Sequence, residues 1–233
     1  MKQLALDLGL APAPTLEGFL PAGNEHAVQQ LRAWLEHGGG ESIYLWGPPG
    51  CGKTHLLRAL HGALAARGEA AGWLDATAPA NVPFSESWHA AFMDDVQAYD
   101  DARQHLAFNW FVNAAAPERG APRAIIAAGS VPPVDLPLRD DLRTRLAWGQ
   151  VFELQHLSEA EMRCALQRAA HARGLRLPDA LTDYVLARHA RDLGSLMALL
   201  DRLDIYALER GRAATIPLFK EMLQEEEGGS APP

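Results

Sequence analysis

The first clear helical pattern begins at Glu25. In "EHAVQQLRAWLEH" the apolar residues Val28, Leu31 and Leu35 recur at helical spacing, Asn24 stands at the cap position, and Gly38 to Gly40 end the run. A strand-like "SIYLW" follows, then a glycine-rich stretch, then the helical "KTHLLRALHGALAARG". "AAGWLDA" reads as a second strand. "WHAAFMDDV" reads as a third, because its apolar run stops abruptly at two acids. A helix over about 102–115, the strand "PRAIIAAGS", the helical "LRDDLRTRLAWG" and the short strand "QVFELQ" complete this half. Strands alternating with helices predict a parallel five-stranded sheet with helices on both faces.

From Ser158 the pattern is only helical, through "SEAEMRCALQRAAHARG", "PDALTDYVLARHA", "LGSLMALLDRLDIYALERG" and "IPLFKEMLQ". That predicts a small helical lid of roughly 60 residues. The expected organisation is a tail over 1–14, an α/β domain over 15–156, the lid over 157–223 and a disordered tail over 224–233.

Composition narrows the function classes. Hydrophobic residues make up 48% of the 233, enough for a sizeable core. No apolar run reaches membrane-spanning length, and the apolar start of the chain is too short and broken for a signal peptide. With two cysteines, Cys51 and Cys164, and one of them inside the glycine stretch, a reducing cytoplasm is expected. The net charge of −8 argues against a broad basic surface, so little direct DNA binding is expected. The nine histidines are scattered and show no zinc pattern. The six tryptophans mostly sit in apolar runs and read as core.

The chemistry is concentrated in "GPPGCGKTHLL", between the first strand and the second helix. It fits G-x-x-x-x-G-K-[ST] at Gly47, Gly52, Lys53 and Thr54, with Pro48, Pro49, Gly50 and Cys51 between. Glycines let successive backbone N–H groups face one centre, and a helix N-terminus adds its positive dipole end. Lys53 then reaches the β and γ phosphates of a bound nucleotide, and the Thr54 hydroxyl holds Mg²⁺. His55, just after the loop, is grouped with it but reads as packing rather than catalysis. Asp94, at the end of "AAFM", is the acid that would hold Mg²⁺ through water, and Asp95 beside it would orient the attacking water. The alternative is two solvated acids heading a helix.

The loop, "FMDDVQ", "RLAWGQVFEL" and the helical lid together resemble the AAA+ module of the DnaA family of replication initiators. Two features are similar to its shorter branch, the DnaA regulatory inactivators of the Hda type. Too little chain follows the lid for a helix-turn-helix DNA-binding domain. The N-terminal "QLALDL" is similar to that branch's motif for the DNA polymerase III sliding clamp (β subunit). There Leu4, Leu6 and Leu8 would anchor in an apolar groove while the Gln3 amide sets register.

The resemblance implies an AAA+ P-loop NTPase fold and further roles. Arg145 matches the arginine finger, with Arg143 as competitor and an ion pair to Asp140 or Asp141 as the alternative to that role. Arg191 matches the arginine that reaches from the lid to the nucleotide, and Ser130 falls at the sensor-1 position. It implies an adaptor, working with ADP, that stimulates hydrolysis of DnaA-bound ATP and down-regulates initiation. Its own ATPase would be weak or absent, it would be cytoplasmic and nucleoid-associated through the clamp, and a homo-oligomer is compatible with it. A helicase-loader-type or DnaA-like ATPase is the alternative, and a small-molecule kinase is disfavoured by the purely helical lid.

Overall fold

In this computed structural model, residues 13–117, 120–189 and 192–229 are described. Gln3, Leu4, Leu6, Leu8 and Arg191 therefore lie outside the described residues. Contacts divide the chain into two units, Ala13–His156 and the helical segment from Leu157 on.

The first unit contains α1 (Glu25–His37), β1 (Ile43–Trp46), α2 (Lys53–Ala66), β2 (Ala71–Leu74), β3 (Ala90–Met93), α3 (Asp101–Ala115), β4 (Ala124–Gly129), α4 (Asp140–Ala147) and β5 (Gln150–Glu153). The strands form one parallel sheet in the order β2-β3-β4-β1-β5. Each strand falls where the apolar runs predict it. Their alternation explains why both faces are covered. Ile43, Leu45, Phe92, Ile126 and Ala128 pack on one side with Leu31, Leu56 and Leu60 of α1 and α2. Tyr44, Ala91, Met93, Ile125 and Ala127 pack on the other with Trp110, Phe111 and Leu142 of α3 and α4. The central β4 is buried at every position, so its sequence is continuously apolar.

The second unit has α5 (Glu159–Ala172), α6 (Asp179–His189), α7 (Leu193–Arg210) and α8 (Ile216–Gly229). Leu166, Leu181, Val185, Leu196, Leu200, Leu203 and Phe219 form its core. Ser158 and Glu161 close a reciprocal capping box at the start of α5. α8 runs on to Gly229, through the stretch expected to be a disordered tail. Glutamate is a good helix former, so the acid run prolongs the helix. Among the described residues no helix is long and apolar enough to cross a membrane.

Asn24 departs from expectation. It stands at the α1 cap position, yet its side chain makes no cap hydrogen bond. Its amide nitrogen donates to the Gln155 carbonyl (3.1 Å), and its oxygen accepts the Gln155 N–H (2.8 Å). At 3% exposure, this side chain ties the start of α1 to the chain leaving β5. Asn24→Ala leaves two part-buried backbone groups unpartnered, so it is expected to lower the unfolding free energy by about 2–3 kcal/mol. A urea titration followed by tryptophan fluorescence checks this, and an unchanged midpoint would contradict the clamp.

Candidate functional site

Parallel strands deliver their C-terminal ends to one edge of the sheet. Here β1 delivers the glycine loop, β3 delivers Asp94 and Asp95, and β4 delivers Ser130. The loop is pressed against the end of β5: a Cβ on Gly47 would lie 2.3 Å from the Leu154 carbonyl oxygen. Gly52, left-handed at φ 97°, turns the chain into α2, and Lys53 is that helix's first residue.

The Lys53 side chain curls back into the loop. Its Nζ donates to the carbonyls of Gly47 (2.8 Å) and Pro48 (3.0 Å) and lies 3.8 Å from the Cys51 sulfur. Lys53 is only 7% exposed, and no ion pair neutralises it among the described residues. A buried ammonium facing only carbonyl oxygens and a thiol, beside a helix N-terminus, is a cation awaiting an anion. The residues present therefore fit a phosphate group.

Asp94 is 5% exposed and accepts the Asp95 N–H (3.1 Å), with the Thr54 hydroxyl near enough to favour its charged form. Burial pushes its carboxyl above the usual range, while the Thr54 hydroxyl pulls the other way. Thr54 and Asp94 thus stand together, as a divalent cation beside a phosphate would require. Asp95 is exposed and left-handed at φ 49°. It heads only the three-residue turn Val96–Ala98, without a side-chain cap bond. The next long helix, α3, is capped instead by Asp100. The helix-heading alternative for the acid pair is therefore not what the fold does with it.

Sequence reasoning gave Gln97 no role. Its amide nitrogen donates to Asp95 Oδ1 (3.1 Å), and its amide oxygen accepts the Ser130 N–H (3.0 Å). One side chain so links the ends of β3 and β4. The available signal was an amide two residues beyond the acid pair, in a turn too short to send it elsewhere. His55 packs as expected: its Nε2 lies 3.0 Å from the Thr15 carbonyl, and its ring is 5.8 Å from that of Phe19.

The arginines of α4 separate cleanly. Arg143 pairs with Asp140 and also donates to the Val134 carbonyl (3.3 Å). Arg139 pairs with Asp141 (2.6 Å). Both acids offered as partners for Arg145 are thus engaged by other arginines. The Arg145 guanidinium instead lies over the Trp148 ring at 4.6 Å and near the Phe108 ring at 5.7 Å. Trp148 is 68% exposed, which corrects the core assignment for this tryptophan. Of the acid beside Arg191, Asp192, the carboxylate caps α7 by accepting the Ser195 N–H (2.8 Å). Among the described residues no group of three or more His, Cys, Asp or Glu side chains could hold a metal ion.

Residues 159–223 match the family model described as the Hda lid domain. The chain is similar in fold to domain III of the Thermotoga maritima replication initiation protein DnaA. That match has 18% identity and a TM-score of 0.75, covering 93% of this chain and 98% of the other. It is also similar to AMPPCP-bound DnaA from Aquifex aeolicus, at 24% identity and a TM-score of 0.70, covering 86% of this chain and 68% of that one. The Thermotoga maritima RuvB Holliday junction branch migration motor matches at 18% identity and a TM-score of 0.64, covering 91% and 71%.

Burial makes the folded chain hold the Asp94 proton more tightly than the unfolded chain does. Between the unfolded value and the raised folded one, the folded form binds more protons. Stability therefore falls as pH rises through that window, and the cost is complete above it. Asp94→Asn keeps an acceptor for Thr54 and cannot ionise. In buffer free of nucleotide and Mg²⁺ it is expected to melt above wild type at pH 7, with the gap closing below the carboxylate range. Equal melting temperatures at pH 7 would contradict this.

Proposed function

We propose that this chain, a DnaA-like AAA+ protein carrying an Hda-type lid, is a nucleotide-bound regulatory adaptor of replication initiation. The observation that carries the reading is Arg145, a cation stacked on aromatic rings while its neighbouring arginines are spent in ion pairs. The nucleotide, ADP in the working form, sits on Gly47, Pro48, Pro49, Gly50, Cys51, Gly52, Lys53 and Thr54. Lys53 binds its phosphate charge, and Thr54 and Asp94 hold Mg²⁺, which neutralises phosphate charge when bound. The AMPPCP-bound state of the similar Aquifex DnaA supports a nucleotide as the ligand.

Gln3, Leu4, Leu6 and Leu8 dock the chain on the sliding clamp, a ring that raises local concentration and places the protein at the nucleoid. Arg145 is then offered to ATP held by DnaA. As water attacks the γ phosphorus and the bond to the β-phosphate oxygen breaks, negative charge builds on the oxygens. A guanidinium there stabilises that charge, an effect worth about 10³–10⁵ in rate in related reactions.

One observation favours a second reading. Asp94 and Asp95 are both present, with Asp95 linked through Gln97 to Ser130, and such a site suits a chain that hydrolyses ATP itself. Turnover of ATP by ATP-loaded DnaA, with clamp loaded on DNA, separates the two. The intact chain is expected to raise it. Arg145→Ala is expected to cut the stimulation about 10²-fold or more, removal of 3–8 to lose it at low concentration, and Arg143→Ala to keep it. Full stimulation by Arg145→Ala, or robust turnover by this chain alone, would overturn the adaptor reading.

A further inference from the structure

We infer that Trp148 is a positioning residue for Arg145: its indole holds the guanidinium by its flat face and leaves the N–H donors free for phosphate oxygens. This rests on the reading of Arg145 as the trans-acting cation.

Trp148 is held out of the core by the backbone on both sides of it. Its N–H donates to the Arg145 carbonyl (3.2 Å) and closes α4. The next residue, Gly149, passes so near the strand ahead that a Cβ there would lie 1.8 Å from the Ser42 carbonyl oxygen. Gln150 then donates to that same oxygen (2.9 Å) and begins β5. With both sides pinned, the indole stays 68% exposed and adds little to the stability of the fold. A lone exposed apolar side chain is ordinary. This one lies under a guanidinium 4.6 Å from its ring, three residues back along α4, with the Phe108 ring of α3 also near.

The manner of holding matters. A guanidinium is planar, with its donors at the rim. A carboxylate grips the rim and uses up donors, as Asp140 does with Arg143. An aromatic ring grips the face and uses none. α4 carries both arrangements two residues apart: Arg143 is paired with Asp140, whereas Arg145 lies over the indole and, among the described residues, makes no ion pair. Holding it also removes rotamer freedom before any partner arrives, which lowers the entropic cost of presenting the charge. The stack should therefore affect the rate once the partner is bound, and not the encounter.

The test measures DnaA-held ATP hydrolysis against concentration of the full chain, for wild type, Trp148→Phe, Trp148→Leu and Arg145→Ala. Leucine keeps bulk and loses the π face. Trp148→Leu is expected to lower the maximal stimulated rate about two- to fivefold, the size of an exposed cation–π contact. Its half-saturating concentration should be unchanged, and Trp148→Phe should recover most of the loss. Independently of activity, the Arg145 Nε–Hε NMR resonance should move in Trp148→Leu as the ring current is lost. A higher half-saturating concentration at unchanged maximal rate would make Trp148 a docking anchor and overturn the inference. So would an unmoved resonance or a fully active Trp148→Leu. If Arg145→Ala stimulates like wild type, the finger reading itself fails. If Arg145→Ala is inactive and Trp148→Leu fully active, only the positioning role fails.

Discussion

Gly47 runs so close to the Leu154 carbonyl that no side chain fits between them. That contact exists because β1 pairs in parallel with β5 on one side and β4 on the other. The same pairing points the loop, the acid pair of β3 and the end of β4 toward one edge. Asn24 reinforces it by clamping the backbone just beyond Leu154. The loop is therefore held from both flanks before Lys53 or Thr54 comes into play, and α2 starts where those flanks leave it.

The site keeps two buried charged groups that, among the described residues, form no ion pair. Lys53 is buried with carbonyl oxygens in place of a counter-charge, and Asp94 is buried with a carboxyl that burial pushes up. Neither arrangement favours the fold. Both make sense if a phosphate and a divalent cation complete the charge balance. Arg145 shows the same logic at the surface, where a carboxylate partner would have been the more ordinary solution and both nearby acids serve other arginines. Local rules tend to be broken at functional positions, and here three charged side chains break them.

The strands were legible because buried parallel strands are short apolar runs, and the loop was legible because its spacing is chemically demanding. The lid cores followed from helical periodicity. Side-chain partners were harder. Asn24 has the right identity and position for a cap, and only the tertiary neighbour Gln155 shows that its amide is used elsewhere. Gln97 and Ser130 are far apart in sequence and meet through parallel pairing of β3 and β4. Trp148 looked like core because composition cannot see that Gly149 and Ser42 fix the backbone beside it. The stretch over 224–233 was expected to be a disordered tail, yet α8 continues through its glutamates, which are good helix formers, and ends at Gly229.

The central claim is that this chain acts on a nucleotide it does not hold. The most direct measurement loads DnaA with γ-labelled ATP, loads this chain with ADP alone, and follows release of labelled phosphate in the presence of clamp on DNA. Label is expected to be released from DnaA while the chain carries only ADP. Release that occurs only when the chain itself is given ATP would contradict this.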